Sequence, residues 1–217
     1  DSNSLFKRRI KGIKTQNEEN EWEKMEQKGK SIPEPRRYSA GVVLGDSFYL
    51  FGGINNGSFL NHFWKMKITN CEWEKMNLKD LNGNIFQIPK RKSHLMFCDI
   101  FRNQIFVYSG HNGNSYLKDM FKLSLNSSNN EIIVEEMKFQ QIGNNSPIFG
   151  RYGARLLFSF NSDNQLAFIF GGEIENGNKT NEILCFDIKK KTICIFNPSK
   201  EIQLFLILVS KYPKIRV

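Results

Sequence analysis

Three histidines and four cysteines are the side chains in this chain that could bind a metal ion or act as nucleophiles. They are His62, His94, His111, Cys71, Cys98, Cys185 and Cys194. The histidines lack the H-x-H and H-E-x-x-H spacings of metal sites, and no two cysteines form a C-x-x-C pair. The cysteine density is far below that of a disulfide scaffold, so reduced thiols are expected. The sequence therefore predicts no metal, no cofactor and no catalytic residue.

Three arginines recur at one position of a repeating unit, each shortly after a proline: Arg36, Arg91 and Arg151. Two interpretations fit this pattern. The side chains could form a ring of cations that binds an acidic peptide, or each could bond carbonyl and carboxylate oxygens within and between the units. We favour the second interpretation, because residues that recur with a repeat usually serve its packing.

A short apolar run that ends on glycine occurs three times, about 60 residues apart, at Phe48–Gly53, Ile105–Gly110 and Ala167–Gly172. The first and third runs end on two glycines, whereas Ser109 replaces the first glycine of the second. A continuous apolar run predicts a strand that is buried on both faces, and the glycines predict a turn where a side chain would not fit. Self-similarity at this period indicates a repeat architecture.

Each unit contains four short segments with the alternation or the apolar character of β-strands. Small residues form the first segment and the aromatic run is the second. A polar loop then leads to a third strand, such as the one that contains Trp64, Met66 and Ile68. The fourth strand of the first unit is the pentamer EWEKM at residues 72–76. Because the same pentamer occurs at residues 21–25, we expect an additional last strand ahead of the first unit.

The order of these features resembles the kelch repeat over about residues 20–197. The positions that carry the resemblance, and that we expect to serve the repeat, are Trp22, Arg36, Gly52, Gly53, Trp64, Trp73, Arg91, Gly110, Arg151, Gly171 and Gly172. The resemblance implies a β-propeller, in which each repeat is a four-stranded antiparallel blade. The predicted fold is therefore all-β, a partial kelch β-propeller with three complete blades and one extra N-terminal strand.

The predicted organisation has three parts, a polar charged tail at 1–19, the kelch repeats at 20–198 and an unassigned C-terminal segment at 199–217. The repeats divide into the last strand of a ring-closing blade at 20–26 and blades at 36–76, 91–137 and 151–196. Propellers close with about four to eight blades. We therefore expect the ring to need further blades from the rest of the full-length chain, and the C-terminal segment could begin one of them.

The chain carries a formal net charge of +9, with 31 basic and 22 acidic residues. Most basic residues are interleaved with acidic ones, which favours a solvated surface over a nucleic-acid site. No apolar run is long enough to span a bilayer, the only candidate being Leu204–Val209, and no secretory signal is visible. We therefore expect an intracellular protein, in the cytoplasm or the nucleus, without membrane insertion.

The function that the resemblance implies is a protein–protein interaction scaffold or adaptor, because propeller loops vary without affecting the core. The candidate partner-binding residues are Asn55, Asn56, Ser58, His111, Asn112, Asn114, Glu175, Asn176 and Asn178. One alternative is a polyanion or an acidic partner bound by the basic tract at residues 7–11 or by the repeated arginines. Another is a kelch-propeller enzyme such as a radical-copper oxidase, which would require a Tyr–Cys cross-link and a pair of histidines on the copper.

Overall fold

A computed structural model describes residues 5–8, 22–126, 131–143, 146–160 and 165–196 of the chain. Its strands, in chain order, are β1 (Leu5–Arg8), β2 (Trp22–Met25), β3 (Ala40–Leu44), β4 (Ser47–Phe51), β5 (Ile54–Asn55), β6 (Ser58–Phe59), β7 (Phe63–Lys67), β8 (Glu72–Met76), β9 (Leu78–Lys79), β10 (Ile85–Phe86), β11 (Leu95–Asp99), β12 (Gln104–Tyr108), β13 (Met120–Asn126), β14 (Glu131–Met137), β15 (Gln140–Gln141), β16 (Arg155–Phe160), β17 (Gln165–Phe170), β18 (Ile183–Asp187) and β19 (Thr192–Phe196). The other regular element in these ranges is a 3-10 turn at Glu175–Gly177. None of the described segments is a helix that could cross a membrane.

The strands form three antiparallel blades of four strands each, which confirms the predicted all-β architecture. The strand order is β3-β4-β7-β8 in blade one, β11-β12-β13-β14 in blade two and β16-β17-β18-β19 in blade three. The aromatic run is the second strand of every blade. The first strand of blade two lies beside the first strands of the other two blades, so the first strands are innermost.

A short parallel segment pairs with the outer edge of each blade, which the sequence did not predict. Leu78–Lys79 pairs with the last strand of blade two, and Gln140–Gln141 pairs with the last strand of blade three. Lys28 makes the corresponding bridge to Glu72 on blade one. Each of these segments follows the last strand of the preceding blade, so it links neighbouring blades and covers an edge that would otherwise be open.

The apolar core lies between the blades. Phe51 and Phe63 of blade one pack in the same cluster as Ile105 and Leu123 of blade two. A second cluster joins blade two to blade three in the same way. Blade two packs against a neighbouring blade on each of its faces, which explains the unbroken apolar run of its second strand from Ile105 to Tyr108. Full burial of one such side chain stabilises the fold by roughly 1.5–3 kcal/mol.

The predicted N-terminal strand has a partner. Leu5–Arg8, which lies within the segment expected to be a polar tail, pairs antiparallel with Trp22–Met25. The register places Leu5 opposite Met25, just as β7 and β8 place Phe63 opposite Met76. These two strands therefore repeat the outer half of a blade, and Met25 packs beside Trp64 and Trp73 of blade one. The predictions for residues 9–21 and 199–217 fall outside the described residues.

Candidate functional site

Arg91 fixes the backbone at one end of blade two. Its guanidinium is completely buried and binds both oxygens of Asp119, at 2.6 and 2.9 Å. It also donates to the carbonyl oxygens of Ser109 and Pro89, each at 3.0 Å. A bidentate Arg–carboxylate pair adds geometric specificity as well as energy. Arg91 therefore ties the start of the blade to the end of its second strand.

Arg36 and Arg151 make the same kind of contact in the other two blades. Arg36 donates to the carbonyl oxygen of Gly52 at 3.1 Å, and Arg151 donates to that of Gly171 at 2.8 Å. Arg151 also binds the Glu182 carboxylate at 3.0 Å. Burial lowers the pKa of both guanidinium groups. All three arginines are committed to their own blades, so they do not form a ring of cations that is open to an acidic partner.

We call these three arginines, with Gly52, Ser109 and Gly171, the arginine frame. The three residues whose carbonyl oxygens accept these hydrogen bonds have a left-handed backbone, with φ of 62°, 62° and 65°. A Cβ on Gly52 would lie 2.6 Å from the Arg91 carbonyl oxygen. Ser109 adopts the same φ despite its side chain, because its hydroxyl accepts the Arg151 amide at 2.6 Å. The residues that follow Gly52 and Ser109 link neighbouring blades. The amides of Gly53 and Gly110 donate to the carbonyl oxygens of Arg91 and Arg151, at 2.8 and 2.9 Å.

The loops that follow the glycines all leave the blades at the same end, which we call the loop end. The residue after each frame arginine forms a bridge to the residue after the glycines: Arg37 to Ile54, Lys92 to His111 and Tyr152 to Glu173. The first loop is a hairpin whose turn, Asn56-Gly57, has positive φ at both residues, as a type I′ turn requires. The third loop contains the 3-10 turn.

All nine predicted partner-binding residues lie in these three loops. Six are exposed, namely Asn56, Ser58, Asn114, Glu175, Asn176 and Asn178, and three are half-buried, namely Asn55, His111 and Asn112. Asn112 shapes its own loop, because its Oδ1 accepts the amides of Asn114 and Ser115, both at 2.9 Å. The other asparagines place amide groups at the surface of the loop end.

A cation surrounded by aromatic rings lies at the loop end, and the sequence analysis did not predict it. Lys92 Nζ lies 5.4 Å from the ring centroids of Phe59 and Tyr152, and 5.7 Å from that of Tyr38. These distances are within the range of cation–π attraction. Blade one supplies two of the rings, blade two supplies the lysine and blade three supplies the last ring. The group therefore exists only when the three blades are assembled.

His111 extends this group. Its ring centroid lies 5.0 Å from that of Tyr116 and 6.3 Å from that of Phe59. Burial and the charge of Lys92 lower the pKa of His111, so the imidazole is neutral at physiological pH. The Tyr116 hydroxyl donates to a Glu173 carboxylate oxygen, which raises the pKa of Tyr116. The loop-end cluster, as we name it, consists of Tyr38, Phe59, Lys92, His111, Tyr116 and Tyr152.

Of this cluster, sequence reasoning identified His111 alone. A signal for two more members was present, because Phe59 and Tyr116 end the first and second polar loops at the same position of the repeat. Tyr38 and Tyr152 each follow a frame arginine by one or two residues. Only the contact between neighbouring blades brings these side chains together, so spacing within one unit could not reveal the cluster.

His94 lies apart from the cluster, in the core. Its ring packs against Phe51 with centroids 5.2 Å apart, and neither ring nitrogen has a hydrogen-bond partner within the described structure. Burial, and then the charge of Arg91, lower the pKa of His94 to about 3. His94 is therefore a neutral packing residue. Across the described ranges, no three histidine, cysteine or carboxylate residues lie close enough to hold a metal ion.

Comparison with known proteins identifies similar chains. A family model described as the KLHDC2/KLHL20/DRC7 Kelch-repeats domain matches residues 10–202. The N-(sulfonatooxy)prop-2-enimidothioate sulfolyase of Thlaspi arvense is 26% identical over 159 residues, which are 72% of this chain and 41% of that protein. The leucine-zipper-like transcriptional regulator 1 of Mus musculus is 22% identical over 173 residues, 78% of this chain and 19% of that protein. A Drosophila melanogaster homolog of this regulator is 30% identical over 104 residues, 45% of this chain and 10% of that protein. The chain therefore spans less than half the length of each of these relatives.

Proposed function

Because the chain belongs to the kelch-repeat family, we propose that it is a protein-binding scaffold and that the loop-end cluster is its contact surface. The observation that carries this proposal is the convergence of four aromatic rings, a histidine and a lysine from three different blades. Tyrosine and other aromatic side chains are enriched at protein interfaces and dominate their binding energy. Relatives with a regulator's name agree with a binding role.

The charges around the cluster favour a partner segment that carries a carboxylate. Arg37 is exposed, and its guanidinium carbon lies 5.6 Å from the centroid of the Tyr38 ring. Lys92 contacts the same ring. Glu173, an acidic residue that contacts the cluster, already accepts the Tyr116 hydroxyl. An acidic group of the partner could therefore reach Arg37 and Lys92, while apolar parts of the segment cover the tyrosines.

The test compares binding partners of the wild-type chain with those of two variants. Quantitative affinity purification with Tyr38→Ala/Tyr152→Ala as bait should recover partners at a level reduced by roughly tenfold or more. The matched control is Phe101→Ala, which removes a 71% exposed aromatic side chain from the turn at the other end of blade two. It should retain the same partners. Equal recovery by both variants would contradict the proposal, and nucleic acid that binds all three baits equally would indicate a polyanion site elsewhere.

We also propose that the three blades are part of a larger ring. The β1–β2 pair repeats the outer half of a blade and packs against blade one. Since none of the described residues forms an inner half for it, we expect that half to come from the rest of the full-length protein. The small share of the relatives that this chain spans supports the proposal. Small-angle scattering of the 217-residue chain should show an open or associating particle. A compact, closed monomer would be evidence against a larger ring.

Catalysis is the competing function, because one relative is named a sulfolyase. We propose a non-catalytic role for this chain, since its repeated polar residues are committed to the arginine frame. The purified protein should therefore not turn over N-(sulfonatooxy)prop-2-enimidothioate, with or without added divalent metal. Turnover above that of a heat-denatured sample would make the enzyme hypothesis the better one.

A further inference from the structure

Two cysteines face each other across the outer strands of blade three. Cys185 and Cys194 are direct partners in the antiparallel register of β18 and β19, and neither is in a disulfide. The sulfur of Cys194 lies 3.7 Å from the carbonyl oxygen of Cys185. Directly opposed residues have Cα atoms about 4.5–5.5 Å apart, which is within the range of about 4.4–6.8 Å that a disulfide spans. The backbone is therefore already placed for a covalent link.

The other two blades place a lysine opposite a glutamate at the same position. Lys122 lies opposite Glu135 in blade two, and their charged groups are 2.5 Å apart. In blade one, Lys65 lies opposite Glu74. Blade three thus has two thiols where the repeat otherwise has a lysine and a glutamate. Since the ion pair in blade two shows that side chains at this position meet across the strands, the two thiols of blade three are placed for a cross-strand link of another kind.

The two thiols differ in access. The neighbours of Cys185 along the strand, Leu184 and Phe186, pack against blade two, so Cys185 and Cys194 lie on the opposite face of blade three. Cys194 is half-buried, whereas Cys185 is only 5% exposed. The hydrogen bond with Cys194, and then burial, raise the pKa of Cys185. A small reagent would therefore meet the Cys194 thiolate first, and Cys185 would react only with its partner across the strands.

We propose that Cys185 and Cys194 form a reversible cross-strand disulfide when the protein is exposed to a low-molecular-weight disulfide such as oxidised glutathione. The Cys194 thiolate attacks one sulfur of glutathione disulfide, and the first glutathione leaves. Cys185 then attacks the sulfur of Cys194 in this mixed disulfide, and the second glutathione leaves. Two cysteine thiols are oxidised, one glutathione disulfide is reduced, and the two thiol protons end on the two released glutathiones.

The link would lie on the face that blade three presents away from blade two. Leu157 and Phe170 on this face are 53% and 51% exposed. A disulfide there would hold the two outermost strands of the blade together, as the ion pair does in blade two. The stability of blade three would then depend on the ratio of reduced to oxidised glutathione, which is not so for the other two blades.

The test uses the purified chain at defined ratios of reduced to oxidised glutathione, followed by alkylation of the remaining thiols and peptide mapping by mass spectrometry. We expect a linked pair of peptides that contains Cys185 and Cys194 and lacks the mass of two hydrogen atoms. A Cys71→Ser/Cys98→Ser variant should form the same link, and its melting temperature should rise by several degrees on oxidation. Cys185→Ser should stop at the mixed disulfide on Cys194.

The matched control is Cys185→Lys/Cys194→Glu, which restores the residue types of the other two blades. Its melting temperature should not respond to the glutathione ratio. The proposal is overturned if oxidised wild-type protein yields no peptide link between Cys185 and Cys194. A link that instead joins Cys71, Cys98 or a second molecule would also overturn it.

Discussion

Arg91 and Lys92 are neighbours in the chain, but Arg91 lies in a region that recurs in every blade and Lys92 lies in a region that varies between blades. Arg91 is part of the arginine frame, in which an arginine of every blade donates to the carbonyl oxygen of the residue that follows the second strand. Lys92 is part of the loop-end cluster, where equivalent positions of the three blades hold different residues. These sets are Arg37, Lys92 and Tyr152; Ile54, His111 and Glu173; and Phe59, Tyr116 and Lys179.

The difference separates the residues that build the blades from those that can serve recognition. A position that every blade needs for its own packing keeps one residue type, because the same contact geometry recurs in each blade. A position at the end of a blade has no such constraint, so its residues can be combined into one surface. If this is correct, substitutions in the frame should change stability, and substitutions in the cluster should change binding.

The largest stability effect should follow from Arg91→Leu. This change leaves the Asp119 carboxylate, which is mostly buried, and the Ser109 carbonyl without their donor. Removal of one partner of a buried ion pair costs about 3–5 kcal/mol, so urea denaturation should show a loss of free energy of unfolding in that range. Arg37→Leu is the control, because Arg37 is exposed, and it should cost less than about 1 kcal/mol. Equal losses for the two variants would remove the distinction between the regions.

The next effect concerns pH and His94. Since the pKa of His94 is lowered to about 3 in the folded protein and is about 6.5 in the unfolded chain, the unfolded chain binds more protons between these values. Stability should therefore fall as the pH falls from 6.5, by about 1.4 kcal/mol per pH unit from this group. His94→Gln should flatten the slope in urea denaturations between pH 6.5 and 4.5. His111→Asn should change the slope less, in the same direction, because His111 is nearer to solvent.

A smaller effect is expected at Gly52. In Gly52→Ala the new Cβ would lie 2.6 Å from the Arg91 carbonyl oxygen, at a φ of 62°. Strain of this kind costs about 2 kcal/mol, which thermal or urea unfolding can detect. Ser109→Gly is the matched control in blade two, where relief of the backbone offsets the lost hydroxyl contacts. Its effect should stay within about 1 kcal/mol. A larger loss from Ser109→Gly than from Gly52→Ala would show that the hydroxyl contacts of Ser109 contribute more to stability than the left-handed backbone at the end of the second strand does.

The parts of the fold that the sequence predicted are those that repeat. The aromatic run at residues 48–51 was recognisable as the second strand of a blade because two other runs share its glycines and its spacing. The outer parallel strands, such as Leu78–Lys79, have only two residues and no period to detect. The strand at Leu5–Arg8 lies in a charged segment, and its sequence does not resemble the third strands of the three blades. The loop-end cluster and the thiol pair Cys185–Cys194 depend on packing and register, which no local pattern encodes.

The smallest stability effect, with the largest expected effect on binding, should follow from Lys92→Ala. The ammonium group contacts three rings at 5.4 to 5.7 Å, but these contacts are half-exposed. Cation–π contacts near solvent contribute about 0.5–1 kcal/mol, so the melting temperature should change little. Binding of the partners found by affinity purification should nevertheless weaken by roughly tenfold. Lys92→Arg keeps the charge and can stack on the rings, and it should restore most of that binding. If Lys92→Ala instead unfolds the chain, the lysine belongs with the arginine frame, and the line between the two regions would have to be drawn one residue further along the chain.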